Sequence, residues 1–373
     1  MQRCGVRYRR MPIEIESPEQ LGYDTIANNL SESSVSDRRL DDLGIDLDLD
    51  ELLLCYGDHL GDPMLREVIG AIDDVAPDSI LVTPGAAASL FFAATSILEP
   101  SDHALILRTN YATNLETPRA IGANLEPFDL RFEEAWQLDI DRLRERVRPE
   151  TKLISATYPH NPTGAVLPHD TLEALVDLAE QSGATLIVDE TYRDLTYGGR
   201  LPLAATLAPN VISMSSMSKA YGVPGLRIGW AVNNDPDTFE RLLAAKEQVV
   251  ICGATLDETI AARVLAQRDR ILPEIRADVR DRLAIVREWI EGQDVFEWVE
   301  PKGGVVGLVR VRLDLDLDVE KFHHTLLHEL GTYVGAGHWF ELDDRYFRLG
   351  FGWPTHDKLR SGLDALTAAA QRS

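Results

Sequence analysis

The chain has 373 residues, of which 45% are hydrophobic and 26% charged, enough for a large core and roughly two to three domains. Its formal net charge of -24 argues against nucleic acid as a partner, because that surface needs positive potential to displace counterions. No apolar run approaches the roughly 18 residues of a membrane span, so no membrane partner is expected.

The 37 basic residues comprise six lysines and 31 arginines. An acidic shell with arginine in place of lysine fits a chain kept soluble in concentrated salt, or simply an ordinary acidic protein. Cys4, Cys55 and Cys252 are far apart and odd in number, which suits a cytoplasmic, reducing compartment better than a disulfide framework. Residues 1–10 are basic with no apolar segment behind them, unlike a secretory signal, and Met11 offers an alternative start.

In chain order, the acidic-apolar alternation over 46–50 leads into Glu51–Tyr56, and 64–72 has the pattern of an amphipathic helix. A short β run over 79–83 precedes Pro84-Gly85-Ala86-Ala87-Ala88, which opens an apolar helix reaching Ile97. Further short apolar runs fall at 103–108, 153–157, 185–188, 211–214 and 227–232, most of them separated by helix-length stretches. That rhythm predicts a three-layer α/β/α domain with a mostly parallel sheet over 45–257. After about residue 257 the texture changes. A long helical region over 259–292 precedes antiparallel strands in 298–311, a strand over 309–313 and a helix over 319–330 capped by Asp318. A smaller α+β domain over 258–373, completed by 12–44, is the expectation.

No metal site is expected. The alternations 46–50 and 314–318 lack the glycine and distal glutamate of a calcium loop. His324 and His328 share a helix face, but Thr325 stands where a zinc protease has its glutamate.

Lys219 is the residue with the strongest chemical signal. It follows the apolar run at 211–214, with Ser216 and Ser218 just before it and Arg227 eight residues on. A desolvated ammonium loses its proton readily, as a Schiff-base lysine must, and hydroxyls with an arginine hold a phosphate. Three other strand ends carry polar groups: Gly85-Ala86-Ala87, Asn161-Pro162-Thr163-Gly164 and Asp189-Glu190-Thr191-Tyr192. Ligands sit at the carboxyl ends of strands in such sheets. Taken singly, the first two are also ordinary turns and the third an ordinary cap. Arg348 lies inside the apolar pattern Tyr346-Phe347-Arg348-Leu349-Gly350 and requires an anion.

Ser-Met-Ser-Lys at 216–219 followed by Gly-Leu-Arg-Ile-Gly-Trp at 225–230 resembles the cofactor-lysine segment of fold-type I pyridoxal-phosphate enzymes, the class I/II aminotransferases. Matching motifs recur in family order from Tyr56 to Arg348. The resemblance implies pyridoxal 5'-phosphate bound to Lys219, with Asp189 on the ring nitrogen and Asn161 and Tyr192 on the phenolic oxygen. It implies Tyr111 on the ring face and Ala86, Ala87, Ser216, Ser218 and Arg227 at the phosphate. Tyr56 would reach the phosphate of the other subunit in a homodimer. Arg348 would hold the substrate carboxylate, with Asn161 and Ser33 nearby; Lys219, Asp189 and Tyr192 would be catalytic. The implied reaction moves an amino group from an amino acid to a 2-oxo acid.

Two departures bear on the substrate. Asn29-Leu30-Ser31-Glu32-Ser33-Ser34 replaces the family's usual Gly-x-Pro turn, and Gly335-Ala336-Gly337-His338-Trp339-Phe340 replaces its Pro-Gly-x-x-Phe-Gly. The N-terminal layout and Leu130-Arg131-Phe132-Glu133 also resemble capreomycidine-synthase-like members, which run elimination and cyclisation on an arginine derivative. Glu32 and Glu341 could then meet a cationic substrate or remain ordinary surface, and His338 draws interest only through its position. A β/γ-eliminating lyase or cyclase is therefore the alternative within the class. A binding protein without turnover is the alternative outside it.

Overall fold

A computed structural model describes residues 5–48 and 50–373, so Cys4 and Leu49 of the 46–50 alternation lie outside the described residues. Cys55 and Cys252 are free thiols. The centre is a seven-stranded sheet in the order Ile80–Thr83, Gly229–Val232, Val211–Ser216, Thr185–Asp189, Thr151–Thr157, His103–Arg108, Asn124–Asp129. Only Gly229–Val232 runs antiparallel to its neighbours. The architecture is the expected α/β one.

The strands form because both of their faces are apolar. Leu105, Ile154, Leu186 and Val211 enter one buried cluster with Leu172, Leu175 and Leu178 of the helix His169–Ser182. Ile106, Leu153, Ile187 and Ile212 point the other way, against Leu90 and Leu115 of the helices Ala86–Ile97 and Ala112–Ile121. Alternate side chains thus meet helices on opposite faces, the arrangement a near-continuous apolar run encodes. Asp62 caps the helix Pro63–Asp73 by accepting from the Leu65 N–H at 2.9 Å.

Four expectations shift. Asn124–Asp129 forms a strand although it contains Pro127, because it lies at the sheet edge, where the missing N–H costs no ladder bond. The long helical region divides into Thr255–Leu265 and Arg268–Glu291. The expected strand at 309–313 occupies Val306–Val311 instead, and Leu313 is exposed. Arg227 precedes its strand rather than joining it: φ is +54° there, a left-handed turn closing Pro224–Leu226.

A second, four-stranded antiparallel sheet has the order Gly335–Ala336, Tyr346–Gly350, Val306–Val311, Phe296–Trp298. The N-terminal segment threads between the two sheets. Asn28–Asn29 pairs with Thr332–Tyr333, and the Gly350 N–H donates to the Leu30 carbonyl at 2.7 Å. Further on, the Val35 N–H donates to the Lys219 carbonyl at 3.0 Å, and the Arg38 N–H to Gly222 at 2.8 Å. Residues 31–34 are thereby tied to both Arg348's strand and Lys219's loop. Among the described residues no helix is long and apolar enough to cross a membrane.

Candidate active site

Strand register assembles the site. Gly229 is level with both Thr83 and Ser216, so the turn after Ile80–Thr83, the end of Val211–Ser216 and the loop holding Arg227 share one edge. Thr157 is level with Asp189, and Asp189 with Met214, at the same edge. A cavity of about 690 Å³ opens there. Ala86, Ala87, Tyr111, Asn161, Asp189, Tyr192, Ser216, Ser218, Lys219, Arg227, Arg348 and Ser33 all line it.

Lys219 sits in the short helix Met217–Ala220, whose N-cap is Ser216. Its Nζ donates to Ser33 Oγ at 2.9 Å. Burial lowers its pKa from the ordinary lysine value, and the nearby Arg348 charge lowers it further. The amine is thus biased toward the neutral, nucleophilic form.

Asp189 ends its strand buried. Oδ1 accepts from the Thr191 N–H at 3.0 Å and Thr191 Oγ at 2.5 Å, while burial holds the carboxyl above its ordinary range. No basic side chain of the described residues pairs with it, which leaves it short of a cationic partner.

The helix Ala86–Ile97 starts at the cavity, so the N–H groups of Ala86 and Ala87 have no acceptor within the helix. Ser216, Ser218 and Arg227 surround that helix end, and Arg227 has no carboxylate partner among the described residues. Gly229 permits the closeness: a Cβ there would lie 2.5 Å from the Ala86 nitrogen. Gly229→Ala is expected to spread this cup and weaken retention of an anion in it, measured as cofactor loss on dialysis.

Arg348 is 4% exposed, with Nη1 donating to Asn161 Oδ1 at 3.1 Å and Nη2 to the Ser31 carbonyl at 2.6 Å. Its Nε is buried with no partner. Tyr192 OH donates to the Ser33 carbonyl at 2.5 Å, so Tyr192 and Asn161 do not share a partner here; burial pushes the phenol up to about 12.

Other residues of interest lie elsewhere. Tyr56 is 84% exposed and outside the cavity. Glu341 is held by Arg119 and Arg108. His338 accepts no cavity role: its ring bonds Asp344 at 2.8 Å and Glu16 at 2.8 Å. The hydrogen bond to Asp344 leads in raising the His338 pKa to about 9. Because that value exceeds the unfolded one, this contact stabilises fully below about pH 6.5 and is lost as pH rises through about 9. Wild type should therefore lose more thermal stability than His338→Gln between pH 7 and 10; parallel melting curves would remove His338 from that role.

Glu32, Thr157, Tyr23, Asp37 and Trp339 also line the cavity. Of these, the sequence singled out Glu32 and Trp339, by their places in the 29–34 and 335–340 departures. Thr157 carries the same signal as Asp189, a polar residue closing a buried strand. Tyr23 and Asp37 carry none, since they arrive through contacts more than 300 residues apart in the chain.

The family of aminotransferases of class I and II matches residues 51–366 of this chain. The chain belongs to that family. It is 30% identical over 324 residues to capreomycidine synthase from Streptomyces vinaceus, covering 86% of this chain and 82% of that protein. It is 28% identical over 300 residues to the arginine–pyruvate transaminase AruH from Pseudomonas aeruginosa, covering 76% and 74%. Among solved structures it superposes on a PLP-dependent aminotransferase from Streptococcus suis with a TM-score of 0.89, at 29% identity over 96% and 97% of the chains. It superposes on the PLP-dependent cyclase OrfR at 0.88, with 26% identity and 98% of both chains covered.

This aminotransferase is thus a pyridoxal 5'-phosphate enzyme. Its cavity fits that group on three counts. A buried lysine, its pKa lowered by burial, is present for the aldehyde. A buried carboxylate lacking a cation can face a protonated ring nitrogen. A helix end with two hydroxyls and a guanidinium that has no carboxylate partner among the described residues can hold a dianion.

Proposed function

We infer that the enzyme transfers an amino group from an amino acid to a 2-oxo acid by a ping-pong mechanism. One observation carries this reading: Lys219 and the buried Arg348, whose guanidinium has no carboxylate partner among the described residues, line the same cavity. A carboxylate on Arg348 places an α-carbon between the guanidinium and the amine. Lys219 binds the cofactor and, once displaced by substrate, takes the α-proton on Nζ and returns it as general base and acid. Pyridoxal phosphate, when bound, supplies the electron sink for the pair left on the α-carbon. With the cofactor bound, Asp189 would keep the ring nitrogen protonated, Asn161 and Tyr192 would serve the phenolic oxygen, and Tyr111 would cover the ring. Ala86, Ala87, Ser216, Ser218 and Arg227 hold the phosphate, and Ser33 holds the amine in register with the substrate.

A second reading has specific support. Two proteins similar to this chain are a capreomycidine synthase and a PLP-dependent cyclase, and Ser33 brings a hydroxyl to within 2.9 Å of the Lys219 amine. Elimination or cyclisation on the same carbanion would then replace the exchange of oxo acids. Incubation with a 15N-labelled amino acid and an unlabelled 2-oxo acid separates the two. Transamination moves the label to the new amino acid, whereas elimination releases it as ammonia and cyclisation retains it in the product.

Residues 45–257 are proposed as the cofactor-binding domain, with 12–44 and 258–373 as the small one. A homodimer is proposed as well, formed through the exposed apolar group Leu53, Leu54, Tyr56, Val249 and Ile251. Thr255 Oγ donates to the Cys55 carbonyl at 3.1 Å, which brings the two halves of that group together. Sedimentation equilibrium is expected to return twice the 41.5 kDa chain mass. A Leu53→Asp, Leu54→Asp variant should sediment as a monomer.

A further inference from the structure

With Lys219, Asp189, Arg227 and Arg348 assigned, the cavity still holds acidic side chains that form no salt bridge among the described residues. Glu14, Glu19, Glu32 and Asp37 line it, and Arg10 is the only other cation among the lining residues. Arg10 spends Nη2 on the Glu14 carbonyl oxygen at 3.2 Å rather than on a carboxylate. These acids do not converge on a metal, since no cluster of three or more His, Cys, Asp or Glu among the described residues is arranged to hold one. Negative charge spread along a wall instead suits an organic cation.

Glu32 is the innermost of the four, half-buried where the others are exposed. Its Oε1 receives Tyr23 OH at 3.1 Å and Asn29 Nδ2 at 3.4 Å, while no donor among the described residues is bonded to Oε2. The backbone behind it is closely backed, because a Cβ on Gly350 would fall 1.8 Å from the Glu32 carbonyl oxygen. Tyr23 in turn stacks on Trp353 at 6.0 Å, and the Trp353 indole donates to Asp37 Oδ2 at 2.9 Å. Glu32 and Asp37 are therefore held in place. Burial pushes the Glu32 carboxyl above its ordinary range, a cost that an arriving cation offsets.

An independent feature fixes the other end of the ligand. The buried Arg348 lines the same cavity, and among the described residues its guanidinium has no carboxylate partner and its Nε no hydrogen-bond partner. A cavity lined by both a buried guanidinium and carboxylates is complementary to an amino acid bearing a second positive charge. We propose that the donor substrate has a cationic side chain whose distal ammonium or guanidinium is received by Glu32, with Glu19 and Asp37 at the mouth. This rests on the functional reading above.

The test uses the cofactor-loaded enzyme and two isosteric ligands without an α-proton, 2-methylornithine and 2-methylnorleucine, titrated calorimetrically. Neither is turned over, so the readout is affinity. Wild type is expected to bind the ornithine analogue roughly 10- to 100-fold more tightly, the range of a charge-assisted hydrogen bond. Glu32→Gln should bring that ratio close to one. A wild-type ratio at or below one overturns the proposal, as does a ratio that survives in Glu32→Gln, because a merely structural glutamate would weaken both ligands alike. Failure to take up the cofactor chromophore overturns the functional reading and this one with it. Chromophore uptake with 15N transfer from neutral or acidic donors only overturns the substrate assignment alone.

Discussion

Lys219→Ala is expected to abolish the borohydride-trappable adduct with pyridoxal phosphate and to lower kcat by at least about 10²- to 10⁴-fold, the range for loss of a positioned general base. Turnover falls further to the extent that covalent attachment also orients the cofactor. The measurements are intact mass after reduction and the rate of 15N transfer. A variant that retains the adduct would place the covalent bond on another lysine. Lys246 is the other lysine removed from solvent, but its Nζ donates to the His59 carbonyl at 2.5 Å, outside the cavity lining. The adduct also has a pH signature. Its rate follows the neutral amine, and burial together with Arg348 depresses the Lys219 pKa. The rate should therefore rise with pH through a midpoint below the ~10.4 of free lysine.

Arg348→Leu is the second large effect. Two charge-assisted hydrogen bonds to the substrate carboxylate, at about 1.5–3 kcal/mol each, correspond to a fall in kcat/KM of about 10²- to 10⁴-fold. The same change moves the midpoint for Lys219 adduct formation upward, because a positive neighbour that disfavours the ammonium has gone. Stability should respond weakly. Removing a buried guanidinium that has no ion-pair partner relieves a desolvation cost, while Asn161 Oδ1 and the Ser31 carbonyl lose a donor. The cofactor-free variant is thus expected to melt close to wild type while its catalytic efficiency collapses. A large drop in melting temperature would instead assign Arg348 to the scaffold.

Much of the site was legible because strand ends are written locally. The apolar runs closing on Thr157, Asp189 and Ser216 each deliver a polar residue to the same sheet edge, and parallel connection makes those edges coincide. Arg348 was visible for a related reason, since a guanidinium inside an apolar strand demands an anion. The edge strand Asn124–Asp129 was hidden by Pro127, whose penalty depends on whether a neighbour pairs with that side.

His338, Glu341 and Glu32 divide along another line. From the sequence all three were candidates near the substrate. In the fold, His338 is taken up by Glu16 and Asp344, and Glu341 by Arg119 and Arg108, whereas Glu32 reaches the cavity without an ion-pair partner. Three of those four partners, at residues 16, 108 and 119, come from up to 322 positions away. Short-range periodicity and residue type were therefore enough to declare the layered α/β architecture and the amine, acid and guanidinium at its edge. Which charges remain available to a ligand was decided only by tertiary contacts. Neutralisation acts between groups a few ångströms apart in space, and no local pattern in the chain records that distance.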